Sequence, residues 1–348
     1  MGLENIHGSE NNLYQLVEGA QKSSEATLES IGKGFAFPVA EEVLNATDRD
    51  IRISEDGESI SRNEIFKVAL HALNQAWENA IKPRIEKIRN ETIESDKLKS
   101  GVDFFTEADV ESEKIMREIF FEQFGENSLR IFGEEENGYL GNEKSSISIR
   151  IDPIDGTESM KFGKQDWGVM VGIYEDGEDS EKQIASAVYY PEKEALVYGM
   201  EDAGVFITDL ASAETKKIEP IKNKDEIGDV ITQVWRHSDV EQRGDITAIE
   251  NSVSNEGGRI RSTTSACTDV LEALSTKGAR IMIIDGDFNQ VDFIPHPLLT
   301  QLGYRIYDWD GTEYDPDDVS LVNKKLVIVP PGNAGELVRE IIKESSSP

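Results

Sequence analysis

Apolar and polar positions repeat with two different periods along the chain. From Ser146 to Ile151 (SISIRI) the alternation is strict, and a strand is expected. Trp167–Tyr174 alternates too, and Gln183–Tyr190, Ala195–Met200 and Val205–Ile207 read as further strands. Turn residues lie between them at Glu175-Asp176-Gly177, Pro191-Glu192-Lys193 and Asp202-Ala203-Gly204, so these strands form an antiparallel meander. Two stretches have helical spacing instead. Ile65, Val68, Ala69, Ala72, Leu73, Ala76 and Trp77 predict one long helix over 61–92. Val110, Ile115, Met116, Ile119, Phe120 and Phe124 predict another, with Asp109 at or near its start. Beyond a Lys- and Glu-rich junction at 215–226 the order becomes regular. Strands at 230–235, 259–261, 281–284, 304–307 and 325–329 interleave with helices at 240–254, around Cys267, at 298–303 and at 334–342. This predicts an α+β unit over 61–226 and an α/β unit over 227–348. Residues 1–60 are polar and acidic, and the pattern gives them no role.

Composition narrows the classes. The chain has 348 residues with 38% hydrophobic content, enough for two cores. No apolar run approaches the ~20 residues that span a bilayer, so no membrane is expected. The N-terminus lacks the basic start and apolar centre of a secretion signal. Ile6 occupies the position where a myristoylation signal has Ser or Thr. The single cysteine, Cys267, fits a reducing cytoplasm and reads as packing within a helix. A formal charge of −32 opposes binding to a nucleic-acid polymer. Most of the 68 acids read as a solvated surface suited to high salt, and only a few can belong to a site.

The chemistry concentrates at Ile151-Asp152-Pro153-Ile154-Asp155-Gly156-Thr157. Two carboxylates stand three residues apart where a strand ends, with Pro153 stiffening the link. Hard oxygen donors suit Mg²⁺. Gly156 allows close approach, and a helix start at Thr157 suits a phosphate group. A plain capped turn, with Asp155 as the N-cap, reads the same residues equally well. Asp308-Trp309-Asp310-Gly311, with Asp315, Asp317 and Asp318, lacks calcium-loop spacing and reads as a hairpin turn.

Three further stretches join the first: Asp103-Phe-Phe-Thr-Glu-Ala-Asp109, Gly133-Glu134-Glu135, and Val291-Asp292-Phe293 after an apolar strand. In this order, over roughly residues 60–345, they resemble the inositol monophosphatase superfamily. Its segments run D-x-V-T-x-A-D, G-E-E, D-P-[IL]-D-G-T and W-D-x-A-A-G. The resemblance implies a layered α/β/α/β/α sugar-phosphatase-like sandwich and Mg²⁺-dependent, lithium-sensitive hydrolysis of a small phosphomonoester. It implies two or three Mg²⁺ held by Glu134, Asp152, the Ile154 carbonyl, Asp155 and Asp292. Asp109 and Thr157 would orient the attacking water, and the N–H groups of Gly156 and Thr157 would bind phosphate. Arg236, His237, Asp285 and His296 are candidates for the substrate rim. Asp285 lies seven residues before Asp292, where inositol-specific members carry an acid. The family often forms dimers, so a homodimer is the expectation.

The last segment departs from the family. Here Val291 replaces Trp, and Ile294-Pro295-His296 replace the small residues after Asp292. That change should reshape the leaving-group side of the pocket. Inositol monophosphate is the default substrate, ahead of a 3′(2′),5′-bisphosphate nucleotide and a sugar phosphate. A catalytically reduced, metal-binding regulatory protein is the alternative from another class. The intact Asp109 and Thr157 argue against it, because binding alone needs no water-orienting pair.

Overall fold

Strands whose two faces are both apolar must be covered on both sides. The computed structural model describes residues 37–45, 50–52, 59–90, 106–135, 139–177, 181–226, 230–235, 244–263, 265–274, 279–285, 289–314 and 325–345. Helix α1 (Glu41–Asn45) and a ribbon of β1 (Asp50–Arg52) with β2 (Ser59–Ser61) lead into α2 (Arg62–Ala76), α3 (Ile85–Asn90) and α4 (Glu107–Phe124). Eight strands follow: β3 (Arg130–Gly133), β4 (Tyr139–Gly141), β5 (Ile147–Asp155), β6 (Gly168–Asp176), β7 (Glu181–Tyr190), β8 (Ala195–Met200), β9 (Gly204–Asp209) and β10 (Glu214–Lys217). A short α5 (Thr157–Lys161) interrupts them after β5. They form one sheet in the order β10-β9-β8-β7-β6-β5-β3-β4. The expected meander is present from β5 to β9, β10 extends it into the stretch expected as a junction, and only β3 runs parallel to its neighbour β5.

The second sheet holds β11 (Val230–Trp235), β12 (Arg259–Thr263), β13 (Ala279–Asp285), β14 (Arg305–Asp308), β15 (Glu313–Tyr314) and β16 (Lys325–Val329). Its order is β12-β11-β13-β16-β14-β15. The β11, β12 and β13 strands are parallel, and the rest pair antiparallel. Helices α6 (Gly244–Asn255), α7 (Ala266–Leu274), α8 (His296–Thr300) and α9 (Asn333–Ser345) accompany them. The β14–β15 hairpin accounts for Asp310-Gly311, with the Asp308 carboxylate accepting from the Asp310 and Thr312 N–H groups. Asp315, Asp317 and Asp318 lie outside the described residues.

Three hydrophobic clusters show the layering. Helices α2 and α4 cover one face of the first sheet through Ile65, Leu73, Met116 and Phe120, against Ile149, Val171, Ala187 and Tyr198. The alternate residues Met170, Val188 and Val197 face the other way, toward α7, α8 and one face of the second sheet. The far face of that sheet, with Ile281, Ile283, Val327 and Val329, is covered by α6 and α9. The sandwich is therefore α/β/α/β/α. Alternate residues of one strand belong to different cores, so β6, β7 and β8 carry apolar residues on both faces.

Two sequence expectations need correction. The single helix over 61–92 breaks after Ala76 into a wider π turn at Trp77–Ile81, then resumes at Ile85. Pro83 is the cause: it offers no N–H and crowds the carbonyl four residues back. The Lys82 N–H reaches back to the Trp77 carbonyl instead, and the Arg84 guanidinium binds the Asn79 and Ala80 carbonyls. The acidic segment 1–60 also gains a partial role. Its described part packs on this chain's own first sheet, with Phe37, Val43 and Ile51 buried. The Tyr198 hydroxyl accepts from the Ala40 N–H at 2.9 Å.

Leu298 is fully buried between the layers, over the bare Cα of Gly199 on β8. Leu298→Ala should therefore cost ~2–5 kcal/mol, measured by urea unfolding followed by circular dichroism.

Candidate active site

Strand β5 ends in an irregularity that aims its two acids. Asp152 pairs with Met170 and Asp155 with Gly168, so β5 carries one residue too many there. A bulge of this kind bends the strand and re-aims side chains. The Asp152 carboxylate accepts from the Ile154 N–H at 3.1 Å. The parallel ladder with β3 continues one step past Gly133, where the Glu134 N–H donates to the Ile151 carbonyl at 3.2 Å. Two parallel strand ends thus place Glu134 beside Asp152. Gly133 is required here, because a Cβ would fall 2.2 Å from the Glu113 carboxylate. That buried carboxylate, paired with Arg117, accepts from the Glu135 N–H at 2.7 Å and holds the turn.

The third acid comes from elsewhere in the chain. Asp292 sits in the turn between β13 and α8, where its carboxylate accepts from the Asn289 N–H at 2.7 Å. Ligand oxygens of Asp152, Asp155 and Asp292 all lie within 4.8 Å of one another. Asp152 and Asp155 are buried, and Asp292 is half-buried. Burial, above all, drives the Asp152 carboxyl well above its usual range, and the charges of Glu134, Asp155 and Asp292 push the same way. Burial also raises Asp155, against hydrogen bonds from Cys267, Ser265 and Ala266 that favour its charged form.

Those last bonds correct a sequence expectation. Asp155 does not cap α5. Gly156 occupies that position in a left-handed conformation with φ 85°, and no side chain caps the helix. Asp155 instead reaches across to the start of α7, accepting from Ser265 Oγ at 2.9 Å, the Ala266 N–H at 3.2 Å and the Cys267 N–H at 2.5 Å. Ser265 and Ala266 are site neighbours that sequence reasoning passed over. The signal for them was a Ser ahead of a helical run, the usual N-cap. Gly156 is needed on two counts, since a Cβ would also lie 2.8 Å from the Asp166 carbonyl. Cys267 is a buried free thiol, raised by burial and by Asp155, so it stays protonated and packs.

Asp109 is the third residue of α4 rather than its cap. Thr106 is the N-cap, and Asp109 accepts from its N–H at 2.8 Å and its hydroxyl at 2.6 Å. The other Asp109 oxygen lies 3.0 Å from Thr157 Oγ, which is also 2.9 Å from the Ile154 carbonyl. Asp109, Thr157 and Asp155 are all buried.

The rim candidates fare differently. Arg236 and His237 lie outside the described residues, and Asp285 is described only as the last residue of β13. His296 does not join a rim. It is fully buried and stacks on Phe293 with ring centroids 4.9 Å apart. Burial lowers it to about 4, against backbone contacts at Asp292 and Phe293 that favour protonation. The turn around it is apolar and buried at Phe293, Ile294 and Pro295, so a residue expected at the rim is core.

The donor set fits a divalent cation. All the side-chain donors are hard oxygens, and the buried acids repel one another until something positive joins them. Layered α/β/α/β/α sheets with an acid cluster between them define a phosphatase-type sandwich. The chain belongs to the inositol monophosphatase family, whose sequence profile matches residues 62–346. It is 26% identical over 141 residues to the inositol-1-monophosphatase of Bacillus subtilis (strain 168), a match spanning 40% of this chain and 51% of that protein. The chain thus spans about half the length of that relative. Its fold matches the extragenic suppressor protein suhB of Bartonella henselae with a TM-score of 0.64 at 19% identity, covering 80% of this chain and 98% of that one. It also matches SaIMPase-II, a staphylococcal IMPase solved with inositol monophosphate bound, with a TM-score of 0.59 at 14% identity, covering 80% of this chain and 93% of that one. Among the described residues no helix is long and apolar enough to cross a membrane.

Two outcomes follow from the charges. A folded-state carboxyl raised above the ordinary 3.8 holds protons that the unfolded chain releases. Stability of the metal-free protein therefore falls as pH rises from near that ordinary value through the raised one. Asp152→Asn should lessen this slope, leaving the part due to Asp155, and raise metal-free stability near neutral pH, read from chemical denaturation across pH. His296 has the opposite sign. Its folded value of about 4 lies below the ordinary 6.5, so its contribution is lost as pH falls between them. That loss is roughly 3 kcal/mol, and His296→Phe should flatten this acid limb in the same measurement.

Proposed function

We propose that this chain hydrolyses a small phosphomonoester with Mg²⁺, by direct attack of water. Glu134, Asp152, Asp155 and Asp292, with the Ile154 carbonyl, would hold the cations. When bound, Mg²⁺ supplies neutralisation of the clustered acids and of the charge that develops on the entering and leaving oxygens. The remaining work belongs to the chain. The Asp109 carboxylate fixes Thr157 Oγ in one orientation at 3.0 Å, leaving that oxygen to position a water beside the acid cluster. Asp109 is itself immobilised by Thr106, so the pair is rigid before substrate arrives. Gly156 brings bare backbone to the site, and the Gly156 and Thr157 N–H groups would receive phosphate oxygens. The acids are committed as ligands, so no phosphoenzyme forms.

The observation that carries this reading is the buried Asp109–Thr157 pair, linked through the Ile154 carbonyl to the acid cluster. A protein that only binds a cation has no use for it. The family assignment supports hydrolysis, and inositol monophosphate is the substrate to test first. The altered turn after Asp292 makes nucleotide and sugar phosphates the next candidates.

A phosphate-release screen over these esters, with and without Mg²⁺ and Li⁺, tests the reading. Turnover that needs Mg²⁺ and falls with Li⁺ is expected. Thr157→Val should lower kcat about 10²-fold or more while Mg²⁺ still binds, because only positioning is lost. Mg²⁺ binding without turnover on any ester would favour a regulatory protein.

A further inference from the structure

The turn that carries Asp292 is fastened to the opposite sheet by two side chains that the site itself does not use. The Ile294 carbonyl, two residues past Asp292, accepts from Gln183 Nε2 and from Ser186 Oγ, each at 2.9 Å. Both donors belong to β7 of the first sheet, and all three residues are buried.

The placement of these donors is built into the strand. Residues three apart on a regular strand point to opposite faces. Here Ile173 pairs with Ala185 while Tyr174 pairs with Gln183, so β7 carries an extra residue. That bulge turns Gln183 to the face that Ser186 already occupies. The sheet is also hollowed under the turn. Gly172 on β6 pairs with Ser186, and Ser186 pairs with Gly199 on β8. A Cβ at Gly172 would lie 2.9 Å from Gln183 Nε2, and one at Gly199 would lie 2.7 Å from Leu298 of α8. Small residues on three adjacent strands thus form a trough for the turn and its helix. Gln183 is held in place in its turn. Its amide donates to the Tyr174 hydroxyl at 2.9 Å, and the Tyr174 ring lies 3.9 Å beneath the Arg150 guanidinium, which is paired with Glu181.

We propose that Gln183 and Ser186 are positioning residues for Asp292. By anchoring the Ile294 carbonyl they set the height of the turn over the first sheet. This fixes the spacing of Asp292 from Asp152 and Asp155, and with it the affinity for a cation bound among all three. The proposal rests on the reading of the site as a Mg²⁺ centre.

The test compares Gln183→Met, Ser186→Ala and the double variant with the full-length wild-type protein. Calorimetry measures Mg²⁺ binding directly, and the Mg²⁺ dependence of phosphate release gives the split between apparent affinity and kcat. Each single variant should weaken Mg²⁺ binding roughly tenfold, and the pair up to about a hundredfold, the range seen when a ligand's supporting bonds are removed. At saturating Mg²⁺, kcat should stay within about threefold of wild type. Thr208→Val is the control. This buried side chain on β9 bonds the Pro38 carbonyl and Thr215, far from the turn in bonding terms. It should lower the melting temperature and leave Mg²⁺ affinity unchanged. Should the double variant fail to fold, Ser186→Ala decides, because Gln183 still donates to the same oxygen. Folded variants that bind Mg²⁺ as tightly as wild type would overturn the positioning role. Wild-type protein that binds no Mg²⁺ would instead overturn the reading of the centre, and the positioning role with it.

Discussion

The structure depends on holding like charges together. Asp152, Asp155 and Asp292 converge within 4.8 Å, the first two buried, with Glu134 close enough to raise Asp152 further. Bringing carboxylates out of water and beside one another is costly, and only an organised scaffold sustains it. Here the scaffold is the sandwich itself. One sheet supplies a strand end and its parallel neighbour, and the turn after a strand of the other sheet supplies the third acid. A cation held there would convert that repulsion into affinity.

The supports of the cluster are as specific as its members. Glu113 holds the Glu134 turn, and it fits only because residue 133 is glycine. The start of α7 steadies Asp155 with two backbone N–H groups and one hydroxyl. Gln183 and Ser186 hold the Asp292 turn from below. Glu134, Asp155 and Asp292 thus each rest on an element other than their own, which couples the site to the packing of the layers. Asp155 gains most from this, since donated hydrogen bonds favour its charged form while burial opposes it.

Much of this was legible in the sequence, for physical reasons. Period-two alternation located β5 and β6, turn residues bounded β7 to β9, and β8, β11 and β16 fall on the expected residues. The convergence of acids was readable only through the order of the segments and their likeness to a family, since spacing alone cannot bring Asp292 to Asp152. What escaped was non-local. Asp155 looked like a cap for the helix that follows it, but the start of α7 offered it better donors from over a hundred residues away. His296 was a candidate for the substrate rim, but the turn around Phe293 folds it into the core. Pro83 marked the break after α2, yet the strong apolar periodicity on either side hid it.

The central claim is that Asp152 and Asp155 hold protons above the usual carboxylate range until a cation replaces them. Proton release on Mg²⁺ binding measures this directly. Calorimetric titrations in two buffers of different ionisation enthalpy give the number of protons expelled. The account predicts that protons are expelled at pH values well above the ordinary 3.8, where exposed carboxyls hold none. Mg²⁺ binding with no proton release at any of these values, or no binding at all, would contradict it.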